Sequence, residues 1–157
     1  MAKPASIKVA SSYTTVTNTT DETTMATITV PAYNVKADYR IEALCLVETP
    51  STNSTDTFAL KLKLGSTVLD TVAAFDAADN DVCWIRLEGY IDSSAELLHF
   101  VALDGRTGQA ADVEETADVA FDTDTDKVFT VTGTWSVAAA ANQAVCKFFT
   151  IKLEPVD

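Results

Sequence analysis

The chain has 157 residues, 47% of them hydrophobic, with 11 Lys and Arg against 23 Asp and Glu and a formal net charge of -12. A chain of this size forms one domain that buries about two-thirds of its unfolded surface. The acidic balance excludes a phosphate-backbone or anionic-membrane partner, and no stretch approaches the ~20 apolar residues of a spanning helix.

Residues 1–22 are rich in Ser, Thr and Asn with few large apolar side chains. They read as a flexible N-terminal arm that orders only against a partner. The opening "MAKPASIKVASSYTTV" has a lysine but no apolar core of signal-peptide length, so synthesis and retention in the cytosol are expected.

Residues 23–157 read as a single β-sandwich domain. Period-two alternation and the abundance of Thr, Val, Ile, Phe and Tyr predict strands near 23–31, 38–48, 56–64, 67–73, 82–91, 96–103, 127–137 and 144–154. In "TFALKLKL", Phe58, Leu60, Leu62 and Leu64 share one face and Ala59, Lys61 and Lys63 the other, and Gly65-Ser66 closes a hairpin with the next strand. Turn signals also fall at Asp79 to Asp81, Asp92 to Ala95 and Asp104-Gly105-Arg106. "SVAAAANQAV" (136–145) is either a short helix or a bend between the last two strands. The expected class is all-β, an antiparallel two-sheet sandwich, with an eight-stranded jelly roll as the leading topology.

Three strands differ in how they use their faces. In "RIEALCLVE", Ile41, Ala43, Cys45 and Val47 point one way and Arg40, Glu42 and Glu48 the other, so that strand is half wet. In "ELLHFVAL", Leu97, His99, Val101 and Leu103 oppose Leu98, Phe100 and Ala102, and both faces need cover. Cys83, Ile85, Leu87 and Ile91 define an inward face, while Val82, Trp84 and Tyr90 stand opposite beside Arg86 and Glu88. A sandwich covers each strand on one face only. The second cover comes from a loop of the same chain or from a neighbouring copy, and the neighbour is the favoured reading. Trp84, Tyr90, Leu98, His99 and Phe100 are the expected subunit-interface residues.

Catalytic equipment is sparse. His99 is the chain's one histidine, and no nucleophile-elbow motif accompanies it, so it reads as a packed or interface residue. Cys45, Cys83 and Cys146 lie in apolar strand-like runs without CxxC spacing and read as buried free thiols. Asp122, Asp124 and Asp126 begin like a calcium loop, but Lys127 stands where an EF-hand loop has glycine and Gly133 where it has glutamate. The reading is a solvated acidic loop, with no cofactor, metal or enzyme activity implied. Trp135 shares a face with Phe129, Val131 and Val137 and reads as core.

Three stretches carry a family resemblance: "TTMATITVPAYNVKADYRIEALCLVE" (23–48), "NSTDTFALKLKLGSTVLDTVAAFDAADNDVCWIRLEGYI" (53–91) and "VFTVTGTWSVAAAANQAVCKFFTIKLE" (128–154). Together they resemble jelly-roll capsid decoration, or cement, proteins of tailed bacteriophages. The resemblance implies a non-enzymatic virion protein made in the host cytoplasm. It implies further that a homotrimer binds the major capsid protein on the outer capsid surface and stabilises the assembled head. The alternative is a carbohydrate- or receptor-binding β-sandwich of a phage tail or fibre, motivated by Trp84, Tyr90 and the acidic loops.

Overall fold

The computed structural model describes residues 5–32, 37–53, 55–115 and 118–156. The described residues form twelve strands: β1 (Ser6–Val9), β2 (Val16–Thr17), β3 (Thr23–Val30), β4 (Tyr39–Ser51), β5 (Thr57–Leu64), β6 (Thr67–Asp76), β7 (Asp81–Asp92), β8 (Leu97–Arg106), β9 (Gln109–Glu115), β10 (Val119–Ala120), β11 (Lys127–Trp135) and β12 (Gln143–Pro155). They make two antiparallel sheets. The larger has eight strands in the order β1-β12-β4-β7-β8-β10, with β2 also on β12 and β9 also on β8; the smaller has the order β3-β11-β5-β6.

Each of the eight strands expected from alternation is present, and the fold is the two-sheet sandwich that alternation implies. The period-two pattern is what builds it. In β5 the buried side is Phe58, Leu60, Leu62 and Leu64, and in β4 it is Tyr39, Ile41, Ala43, Cys45 and Val47. These inner faces meet around Phe58, Phe129, Phe149, Trp135 and Phe121, all essentially without solvent exposure. Phe58 and Trp135 pack with ring centroids 4.9 Å apart. Trp135 is core as expected, but β11 stops there, and Val137 lies exposed beyond its end.

The β5–β6 hairpin turns at Gly65-Ser66, with Leu64 opposite Thr67 and Gly65 at φ 57°, a left-handed backbone that glycine adopts without strain. The next hairpin departs from expectation. Asp104-Gly105-Arg106 is not a turn but the end of β8, and the chain reverses at Thr107-Gly108 instead. Gly108, at φ 77°, supplies the left-handed residue, while the Arg106 guanidinium stays 5.0 Å from the Phe75 ring centroid.

The arm is the larger correction. Residues 1–22 do not stand free from Ser6 onward: β1 pairs with β12 from Ser6↔Leu153 to Val9↔Thr150, and β2 pairs Val16 with Ala144. Val16 and Ala10 are buried, and the Trp135 indole Nε1 donates to the Val16 carbonyl at 3.2 Å. Backbone pairing and the small buried anchors Ala10 and Val16 hold the segment, while its Ile7 and Val9 stay exposed. β9 and β10 arise likewise in a region without alternation, added to the edge of β8 by its ladder.

Within the 136–145 stretch, residues 136–142 form bends and a turn and 143–145 already belong to β12, and among the described residues there is no α-helix. Fully buried Asn142 fixes it, donating from Nδ2 to Asp56 Oδ2 (2.8 Å) and to the Val137 carbonyl (3.1 Å), while Asn53 N donates to its Oδ1 (2.7 Å).

Candidate functional site

The small sheet covers one face of the large sheet, and the other face is open. Pairing register shows what that open face carries, because directly opposed residues share a side. One row runs Val9, Thr150, Leu44, Arg86, Leu103, Val113 across six strands. Beside it run Phe148, Leu46, Trp84, Gly105 and, on the other side, Ile7, Lys152, Glu42, Glu88, Val101. Ile7 is 66% exposed, Val9 60%, Val113 58%, Val101 43% and Val82 36%. Among the described residues, half of the ten exposed large hydrophobics therefore lie on this one face.

Trp84 is half-buried, and its place is set by Gly105 on the neighbouring strand. A Cβ at position 105 would lie 2.6 Å from an indole carbon, so the missing side chain makes the seat for the ring. Farther along the same face, Tyr90 stacks on His99 with centroids 6.4 Å apart and an interplanar angle of 27°. Tyr90 Oη donates to Asp38 Oδ2 at 2.6 Å, and Ser93 donates from its backbone N and its Oγ to Asp38 Oδ1. The hydrogen bond to this carboxylate pushes the Tyr90 hydroxyl up to about 12 and holds Asp38 below the ordinary range. His99 Nδ1 lies 2.8 Å from Asp118 Oδ1.

Of the five expected interface residues, Trp84, Tyr90 and His99 stand on this open face, half-exposed. Leu98 (0% exposed) and Phe100 (9%) do not: they point inward and are already covered by this chain's own core. Gly89 lies opposite Phe100, and a Cβ there would come 3.0 Å from the Phe100 Cβ. The sequence reading passed over Leu44 and Leu46, although strand parity places both between Glu42 and Glu48 on the supposedly wet side. It also passed over Phe148, outward because a register shift between Cys146 and Phe148 breaks the alternation of β12.

The face is laced with ion pairs formed within the chain. Arg86 reaches Glu42 (3.2 Å) and Glu88 (2.6 Å), Lys147 reaches Glu48 (2.6 Å) and Lys152 reaches Glu154 (2.6 Å). These exposed pairs contribute little to stability.

The remaining chemistry is quiet. Cys45, Cys83 and Cys146 are buried free thiols, as expected, and burial pushes Cys83 and Cys146 up to about 12, far from the nucleophilic thiolate. The acidic loop gathers differently from its spacing. Asp122 and Asp124 come together with Glu96, their carboxylate oxygens within 4.8 Å of one another, whereas Asp126 Oδ1 accepts from Ala32 N. Among the described residues these three are the set with spacing suited to a hard cation. They are exposed or half-exposed, and Asp122 already accepts from Asp124 N and Thr125 Oγ1.

No family model matches the chain, and no curated protein matches it. Among solved structures, a seed lectin of Lotus tetragonolobus aligns over 98% of this chain and 94% of its own at 8% identity and a TM-score of 0.47. Peanut lectin with a nine-residue peptide aligns over 98% and 92% at 6% identity and 0.41, and lectin II from Ulex europaeus over 96% and 93% at 9% and 0.38. At TM-scores below 0.5 these likenesses carry no weight for what the chain does. The chain's own strands define it as an antiparallel two-sheet β-sandwich.

Proposed function

We propose that the chain is a non-enzymatic assembly protein of a virion: a capsid decoration or cement protein that binds the assembled phage head as a homotrimer. The observation that carries this reading is the open, partly apolar face of the large sheet, on which Trp84 is seated against Gly105. Exposed apolar side chains gathered on one sheet face mark a protein interaction site more often than a spare surface. The three resembling stretches point to the major capsid protein as the surface on which the assembly rests. A protein that binds the closed shell and not the open one stabilises it by mass action, about 2.7 kcal/mol per site at 100 times the dissociation constant. A net charge of -12 also suits the outside of a DNA-filled shell.

Labelling purified virions with an antibody against the chain tests this reading. Regularly spaced label over the head supports it, and unlabelled heads overturn it. The second reading, a carbohydrate- or receptor-binding module, draws on Trp84 and Tyr90 standing on the same face and on the convergence of Glu96, Asp122 and Asp124. A glycan array with and without calcium separates the two: a defined sugar bound, with heads unlabelled, transfers the assignment to the second.

A further inference from the structure

We infer that opposite edges of the large sheet join between copies: β9 of one copy adds as a further strand to the free edge of β1 on the next. The inference rests on the assembly reading above and names the contact that builds the homotrimer.

Both edges are open. Among the described residues, no strand pairs with the outer side of β1 or of β9. Ala10 N donates to Phe149 O at 3.0 Å, so the alternation of an antiparallel ladder turns the N–H and C=O groups of Ser6 and Lys8 toward β12 and those of Ile7 and Val9 outward. At the other edge Thr107 N donates to Val82 O, which by the same alternation turns Ala102 and Asp104 toward β9 and leaves the backbone of Val113 facing away from the sheet. Val113 N is held by Asp112 Oδ1 at 2.9 Å, an exposed local bond that an added strand replaces. Strand addition to such an edge is a common mode of protein recognition.

The side chains match as well. Ile7 (66% exposed), Val9 (60%) and Val113 (58%) are the three most exposed large hydrophobics among the described residues, and all three stand on these two strands, on the open-face side. Joining β1 to β9 sets Val113 beside Ile7 and Val9, so each covers the other.

Charge chooses which edge meets which. Lys8 is the one charged residue in 5–11, and Lys152 on the neighbouring strand is paired with Glu154. Residues 109–115 include Asp112, Glu114 and Glu115 and no base, and Arg106 behind them is held over the Phe75 ring. Two β1 edges meeting set lysine near lysine, and two β9 edges set acid near acid, which repel. β1 meeting β9 opposes unlike charges: with Val113 antiparallel to Val9 the residue facing Lys8 is Glu114, and with Val113 facing Ile7 it is Asp112. Beside β1 lies a groove of about 350 Å³ lined by Lys8, Val9, Ser11, Thr27, Ile28 and Thr29, hydroxyls and an ammonium without a carboxylate. Contacts between unlike edges run head to tail and close into a ring, of which the homotrimer is the three-membered case.

Sedimentation equilibrium of the full chain at micromolar concentration tests the inference with V9P and V113P. Each proline removes one outward N–H and no bond of the chain's own ladder, a position that edge strands tolerate. The wild type is expected to be an oligomer, each variant alone a monomer at unchanged circular dichroism, and their equimolar mixture a dimer and nothing larger, because V9P keeps its β9 edge and V113P its β1 edge. A monomeric wild type overturns the inference, as does a variant that assembles alone like the wild type, or a mixture that stays monomeric or grows past the dimer. K8E and D112K/E114K leave the backbone untouched and guard against failed folding of the proline variants. Each is expected to ease dissociation severalfold although they move the net charge in opposite directions, and K8E/D112K/E114K to restore it. Changes that follow net charge alone overturn the inference. A monomer that still labels virions sinks this inference alone, and an oligomer absent from virions sinks the capsid reading alone.

Discussion

At the scale of single residues, stability depends on a few buried polar contacts and close approaches that hydropathy does not reveal. Asn142→Ala leaves the Asp56 carboxylate and the Asn53 amide without their side-chain partner in a closed site, and is expected to cost about 2 kcal/mol in urea unfolding. Gly133→Ala puts a Cβ 2.7 Å from Phe58 Cζ and 2.9 Å from Met25 Sδ, both in the packed core. Overpacking of this kind is expected to cost about 1–3 kcal/mol, read as a lower melting temperature. Glu22 shows how pH enters. Hydrogen bonds from Lys63 and Lys61 lower its carboxyl from the ordinary 4.5 to about 2. Its folded value lies below its unfolded one, so its contribution is complete above about 4.5 and is lost as pH falls toward about 2. Glu22→Gln is expected to lower the melting temperature at pH 6 and to flatten its decline through that window. Some decline remains, because Asp38, Asp92, Asp122 and Glu154 are shifted the same way by their own donors, Tyr90, Ala95, Asp124 and Lys152 first among them.

At the scale of elements, what the sequence disclosed follows from what drives each strand. The eight strands that bury a hydrophobic face announce themselves by alternation, and β5 does so without interruption. β1, β2, β9 and β10 bury little, and backbone pairing to a neighbour that already exists creates them. Such strands leave no period in the side chains, so 1–22 and 104–126 look like an arm and a loop. Strand order was illegible for a related reason: it depends on long-range partners such as β12 with β4, a pairing that no local pattern encodes. The candidate face was half legible. Trp84, Tyr90 and His99 were visible from parity on their own strands, whereas Phe148 was hidden by the β12 register shift and Leu98 and Phe100 gave no sign of which side was the core. Deleting residues 1–22 tests the status of the first two strands. Removing β1 and β2 uncovers the β12 edge, takes Val16 from the core and leaves the Trp135 indole N–H without its acceptor. The truncated chain is expected to melt several degrees lower and to aggregate through the freed edge, whereas a merely appended arm could be lost without change.

At the scale of the whole molecule, the acidic excess gives the proposed self-association a definite dependence on ionic strength. Each copy carries -12, and the open face shares in that excess, with Asp38, Asp92 and Asp118 standing around Tyr90 and His99. Copies meeting at the edges of this face form few new ion pairs, because Arg86, Lys147 and Lys152 already bond within their own chain, while their acidic groups repel through solvent. Raising salt shortens the screening length from about 30 Å at 0.01 M to about 8 Å at 0.15 M, which removes that repulsion and hardly touches backbone pairing and apolar contacts at Ile7, Val9 and Val113. Association is expected to tighten severalfold over this range in sedimentation equilibrium. It is expected to tighten also as pH is lowered toward the sequence pI of 4.3, where the excess charge vanishes. An interface held together by salt bridges between copies behaves in the opposite way, loosening as salt is added, so the sign of the dependence alone decides which kind of contact joins them.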